Sequence, residues 1–190
     1  MIREITKEDI KESVRVITES FMTVADELGF TMENAPRFTA FATTEDRLMY
    51  HLEVEKRPMI GFFSDASVAA CDGSGNSGSG NGGNSGSADS GNLGSGKLLG
   101  YYSLAKQSDK EWELNNLCVL PEHRHDGIGD ILLKDAFSRA KAMGAEKLNI
   151  GIVEENVRLR KWYESKGFLH IGTKKFDFFP FTCGYMEKML

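Results

Sequence analysis

Apolar positions along this chain follow two rhythms, one helical and one extended. Ile10, Val14, Ile17, Phe21, Val24 and Leu28 recur at spacings of three and four, which predicts a long amphipathic helix packed on a sheet. Met1 to Ile5 ahead of it reads as a short strand, and Thr6 with Asp9 three residues on is a weak variant of the capping box. Gly29 to Thr39 is a loop-like link, and Leu48 with Leu52 marks a second helix from about Thr44 to Glu55. Met59 to Ser64 and Lys97 to Leu104, rich in aromatic and aliphatic residues, predict strands, and Glu111 to Leu120 predicts another. Its end, Leu117 to Leu120, is the apolar run expected of a strand covered on both faces. Ile128, Leu132, Ala136, Ala140 and Met143 then return to helical spacing. Lys147 to Val153 reads as a strand, and Asn156 to Ser165 as a helix with Leu159, Trp162 and Tyr163 on one face, stopped at Gly167. Phe168 to Phe176 and Thr182 to Met189 complete the list as two strands around Phe179-Pro180-Phe181.

A strand, a helix and a strand in succession imply a parallel pair joined by a right-handed crossover. The expected architecture is therefore a mixed sheet with helices on both faces, formed as a single domain over residues 1–190. One stretch breaks the pattern. Asp72 to Gly96 is almost wholly Gly, Ser and Asn and holds half of the chain's 20 glycines. Such a segment cannot bury enough apolar surface to offset its ordering entropy. Residues 66–96 are therefore expected to be a flexible insert at the tip of a hairpin, where added length costs only logarithmically in closure entropy.

Composition narrows the function classes. With 190 residues, a hydrophobic fraction of 41% and a charged fraction of 27%, the chain can bury a substantial core. A net charge of −5 gives no electrostatic support to nucleic-acid binding. Three cysteines without a C-x-x-C suggest neither a disulfide framework nor a zinc site, and Cys118 reads as a small core hydrophobe. The charged N-terminus does not read as a signal peptide, and no apolar run approaches membrane-spanning length, so the cytoplasm is the expected compartment.

The chemistry gathers in Leu114 to Met143. Pro121 ends a strand, and Arg124-x-x-Gly127-x-Gly129 brings side-chain-free backbone to a helix start, where outward amides favour an anion such as phosphate. The run lacks the Gly-Lys-Ser/Thr of a P-loop, and Leu132 stands where a dinucleotide fingerprint needs its third glycine. His123 and His125 flank Arg124 without a third ligand and read as polar loop residues, so no metal site is expected.

A second motif follows the fifth strand. E-E-N-V-R-L-R-K-W-Y-E-S-K-G-F carries Asn156, Leu159, Tyr163, Gly167 and Phe168 at fixed spacings. Together with L-C-V-L-P-E-H-R-H-D-G-I-G it resembles the GNAT superfamily of acyl-CoA-dependent N-acetyltransferases, most strongly from Glu113 to Phe168. The resemblance implies an α/β (α+β) fold: a mixed, mostly antiparallel sheet of about six to seven strands, with a central parallel pair formed by the fourth and fifth. It also implies acetyl-CoA as co-substrate, its pantetheine arm lying against Leu117, Cys118 and Val119 of a bulged, splayed fourth strand. A backbone N–H of that strand would polarise the thioester carbonyl. The pyrophosphate would then meet the amides of Arg124, His125, Asp126, Gly127, Ile128, Gly129 and Asp130.

Tyr163 matches the family's general acid; periodicity alone favours a core aromatic beside Trp162, and its position within N-x-x-L-x-x-W-Y-x-x-x-G-F reverses that preference. Glu113 matches the base in several members, with an exposed strand residue or ion-pair partner as the plain alternative, and Glu154 and Glu155 as rivals. Asn156 is either a cofactor contact or a helix N-cap. Asp126 and Asp130 depart from the family pattern by placing carboxylates beside a pyrophosphate, and their side chains are expected to face solvent. The implied partner is a small-molecule or peptide amine, with no nucleic acid or membrane, and a monomer or homodimer. The acceptor wall is expected from Thr31 to Phe41 and the hairpin near Phe176 to Phe181. A non-catalytic acyl-CoA sensor is the competing function, and a scaffold built on the insert a third. An acyl-Cys118 route is disfavoured, since nothing in the sequence marks that thiol as activated.

Overall fold

The computed structural model describes residues 1–64 and 96–190. Seven strands form one sheet: β1 (Ile2–Glu4), β2 (Met59–Phe63), β3 (Leu98–Lys106), β4 (Glu111–Val119), β5 (Lys147–Val153), β6 (Leu169–Lys175) and β7 (Thr182–Met189), in the order β1-β2-β3-β4-β5-β7-β6. Every neighbouring pair is antiparallel except β4 and β5 at the centre. The helices are α1 (Ile10–Leu28), α2 (Thr39–Ala42), α3 (Glu45–Glu53), α4 (Ile128–Ala142) and α5 (Val157–Ser165). The mixed sheet with a central parallel pair is the architecture expected from the sequence. The short α2, inside what reads as a loop, is an addition.

Both faces of β3 are covered, because α1 and α4 each pack on β3 and β4. Tyr102 donates its hydroxyl to Asp135 of α4 at 2.5 Å, which fixes the α4 face. Successive strand residues alternate, so Tyr101 and Ser103 look the other way, and Cys118, paired with Tyr101, lies against Ser20 of α1. The buried stripe of α1 differs in detail from its apolar spacing. Ile10 and Ile17 are buried as expected, but Ser13, Ser20 and Ala25 are also buried, while Val14 and Phe21 pack at the margin. Small side chains let the helix axis approach the sheet, so the larger neighbours flank the contact. Asp9 accepts from both the backbone N–H and the hydroxyl of Thr6, capping a single 3-10 turn (Lys7–Asp9) that precedes α1.

Leu117 to Leu120 is not covered on both faces as its apolar run predicts. Cys118 and Leu120 are buried, whereas Leu117 and Val119 are half-buried. The physical reason is the absence of a neighbouring strand: β4 pairs with β5 only at Glu111 to Glu113, opposite Lys147 to Asn149. Beyond that point β5 continues to pair with β7 on its other side as far as Val153, and β4 continues with β3. The two central strands therefore part.

The expected insert at 66–96 lies, except for Gly96, outside the described residues. Its anchors are joined, with Ser64 N–H donating to the Lys97 carbonyl and Lys97 N–H to the Ser64 hydroxyl, both at 2.9 Å. A second, smaller core joins Phe30, Ala35, Phe38 and Ala40 to Phe181 of the last turn. Among the described residues no helix is long and apolar enough to cross a membrane.

Leu132 of α4 is fully buried beneath Gly100 of β3. Leu132→Ala should lower unfolding free energy by about 3 kcal/mol, as expected for a leucine cavity, measured by urea denaturation.

Candidate active site

The site begins at an extra residue in β4. Ser103 opposes Asn115 and Tyr101 opposes Cys118, so two steps on β3 face three on β4. Asn116 takes up the difference at φ +54, a left-handed conformation that Asn tolerates better than most residues. Asn-Asn inside a strand is an unusual pair, and this is the signal by which the bulge could have been located from sequence.

Past the bulge, Leu120 N–H donates to the Leu99 carbonyl at 2.9 Å. Peptide groups alternate between the two edges of a strand, so the N–H and C=O of Val119 point into the gap opposite β5. The Val119 carbonyl accepts a long contact from Arg124 Nε at 3.4 Å. Its N–H is the group turned toward the gap.

At the end of β4, a 3-10 turn (Pro121–His123) leads into the glycine loop. Arg124 N–H is spent on the Pro121 carbonyl at 3.3 Å. His125 lies at φ +74 and Gly127 at φ +80, which curls the loop before α4 begins at Ile128. Among the described residues, the amides from His125 to Asp130 have no backbone acceptor, which makes a concave set of donors at a helix start. That arrangement fits an anion.

Side chains around the loop play other parts than the sequence suggests. Arg124 points inward: its Nη2 donates to the Ser20 carbonyl at 2.8 Å and the Thr23 hydroxyl at 2.9 Å, both on α1. Asp130 does not simply face solvent, because Lys166 Nζ lies 2.9 Å from its carboxylate. The lysine compensates the negative charge at the anion cradle and ties α4 to the end of α5. Asp126 lies 3.5 Å from His123 Nδ1. Among the described residues no group of three or more His, Cys, Asp or Glu is placed to hold a metal.

Tyr163, on α5, is buried, with its ring edge-on to Trp162 at 4.8 Å and to Phe168 at 5.3 Å. Burial raises its pKa, helped by the proximity of Cys118 on β4, so the phenol keeps its proton. The Cys118 thiol is itself pushed up to about 12 by burial, with partial opposition from Ser20 and the Tyr101 backbone. It is a protonated core group.

Glu113 lies at the last paired position of the parallel strands, on the same face of β4 as Asn115. Burial raises its pKa, while Gln107 Nε2, donating at 2.6 Å, and the charge of Arg57 act the other way. The rival carboxylates are engaged elsewhere. Glu154 binds Arg160 and His170, and Glu155 accepts from Thr182 N–H at 2.9 Å. Asn156 Oδ1 accepts from Leu159 N–H at 3.1 Å, which makes it the N-cap of α5.

The two predicted wall segments meet. Phe30 and Phe38 pack on Phe181, with centroids at 5.0 and 5.9 Å, and the Arg37 guanidinium lies over Phe178 at 4.7 Å. On the same face as Glu113, a cavity of about 100 Å³ opens between α2, α3 and the bulge, reaching Ser103, Asn115 and Asn116. Arg57, which borders it, was not singled out by the sequence, because its role depends on lying beside Glu113 in space.

Residues 86–168 match the Acetyltransferase (GNAT) family. An uncharacterised N-acetyltransferase of Mycobacterium tuberculosis is 30% identical over 81 residues, 43% of this chain and 52% of the relative, so the match spans about half of that relative's length. The PaiA N-acetyltransferase from Thermoplasma acidophilum, solved in complex with coenzyme A, superposes with a TM-score of 0.72 at 20% identity, covering 100% of this chain and 98% of that one. The ribosomal-protein-S18-alanine N-acetyltransferase from Escherichia coli superposes at 0.65 and 13% identity, over 98% and 91% of the two chains.

Asn156→Ala should cost about 1 kcal/mol of stability, the usual value of an N-cap, and Asn156→Asp should recover most of it in the same denaturation measurement.

Proposed function

We propose that the chain acts as an acetyltransferase of the GNAT family, whose model its residues 86–168 match, and that it transfers an acetyl group from acetyl-CoA to a primary amine by direct attack in a ternary complex. One observation carries this reading. β4 loses its partner β5 just after Glu113, leaving an amide edge that ends in an anion cradle, with a protonated phenol buried near Cys118 of the same strand.

Acetyl-CoA supplies an activated thioester and an anionic handle. The His125 to Asp130 amides would hold its pyrophosphate, and the open edge of Leu117 to Val119 would pair with its pantetheine amides. Val119 N–H would donate to the thioester carbonyl, where negative charge grows during attack; donors preset for that charge are usually the largest catalytic contribution. Tyr163 would give its proton to the departing thiolate. The raised pKa keeps that proton in place throughout the neutral range.

An alkylammonium has a pKa of about 10.4 and cannot attack until it loses a proton. Glu113 is the carboxylate on the acceptor side of the bulge, and its partial burial makes it a better proton acceptor than an exposed glutamate. It would remove the proton directly or through water. A route through acyl-Cys118 is disfavoured by the thiol's environment, since attack needs a thiolate that burial suppresses.

Thiol release from acetyl-CoA across an amine panel tests the whole reading. Tyr163→Phe should lower kcat by roughly 100-fold or more, the usual contribution of a positioned acid, with the KM for acetyl-CoA little changed. Binding of acetyl-CoA without turnover by any amine would favour the sensor function instead.

For Glu113 the sign is fixed by its direction of shift. Its pKa lies above the usual carboxylate value, so the active, ionised form is lost as pH falls through that raised value. The acid limb of the pH–rate profile should flatten in Glu113→Gln. An unchanged profile would remove Glu113 from the mechanism.

A further inference from the structure

The cavity beside the bulge has a one-sided charge. Arg37, Arg47, His51 and Arg57 border it from three separate segments, and its sheet side is formed by the neutral Ser103, Asn115 and Asn116. Glu55 is already committed, with His51 Nδ1 at 2.6 Å and Arg57 Nε also bound to it. Arg37 and Arg47 are not so occupied. Among the described residues the first lies over the Phe178 ring, and the second donates only to the Ala42 carbonyl at a long 3.5 Å. Thus, among the described residues, two guanidinium groups without a carboxylate line a cavity that also reaches Asn115 and Asn116 of the bulge, two and three residues on from Glu113.

We propose that the acceptor is a zwitterionic amine, which places a carboxylate or other oxyanion against Arg37 and Arg47 and its amino group toward Asn116 and Glu113. This rests on the acetyltransferase reading above. Guanidinium groups present paired N–H donors that match the oxygens of a carboxylate, phosphonate or phosphate. The same groups repel a second ammonium, so a polyamine would meet like charge in the cavity. The arrangement therefore selects on both ends of the acceptor. Glu113 favours a cationic amine approaching the bulge, and the arginines favour an anion behind it.

Matched acceptors distinguish this from a general amine site. An amino acid should exceed its decarboxylated amine in kcat/KM by about tenfold or more, the size of a charge-assisted hydrogen bond. An aminoalkylphosphonate in the same panel reports whether the oxyanion is carbon- or phosphorus-based. Arg37→Gln/Arg47→Gln should raise the KM for the preferred acid by a similar factor while leaving the KM for acetyl-CoA within about twofold; the double lysine variant should recover part of the loss. Preference for the decarboxylated amine or for a polyamine, with no response to the double variant, would overturn the proposal. Calorimetric binding of the same amino acid separates the two levels. If no amine is acetylated, the transferase reading falls. Binding that is lost in Arg37→Gln/Arg47→Gln still supports the cavity assignment, and binding that does not change refutes it.

Discussion

A strand inside a sheet must satisfy both of its edges, and β4 satisfies only one over its second half. Backbone N–H and C=O groups left unpaired inside a protein are costly, so a parting of two central strands must be enforced. The enforcement comes from three directions. The bulge at Asn116 turns β4, β7 holds β5 through Val153 on the far side, and α1 and α4 hold β3 and β4 from above and below. The open edge is thus held by elements of the fold on every side of it. Around it, the loop from His125 to Asp130 adds donors, Tyr163 lies buried near Cys118 with its proton retained, and Glu113 marks the point where pairing ends.

Much of this was legible because it is local. The helical spacing of Ile128, Leu132, Ala136 and Ala140, the glycines at 127 and 129, and the strand pattern of Lys147 to Val153 depend on neighbours within a few residues, and the elements formed within a residue or two of expectation. What eluded the sequence depends on groups far apart along the chain. Lys166 neutralises Asp130 across 36 positions, and Arg124 reaches Thr23 across 101. Lys166 and Arg124 both lie in motifs, but nothing in the spacing of either motif names the distant partner. Asn156 was open to two readings because Asn serves both well; only the direction of its side chain decides that it caps α5. The buried serines of α1 were missed for a related reason, since a periodicity argument counts apolar residues and overlooks small ones that permit close approach.

The charges tell a similar story on a larger scale. An overall charge of −5 argues against polyanionic partners, yet Arg37, Arg47 and Arg57 gather around one cavity from three segments. Net charge averages such features away. A local field belongs to the fold, and recognition of a small molecule responds to the local field.

Arg124 has a mechanical meaning that its place in the motif conceals. Its guanidinium bridges the strand end at Val119 to the backbone and side chain of α1 at Ser20 and Thr23. The glycine loop and α1 are thereby tied together through a single guanidinium group. A shift of one carries the other with it. The spacing between the glycine loop and the first helix is accordingly set by one side chain, in the way a gauge block sets the opening of a jaw.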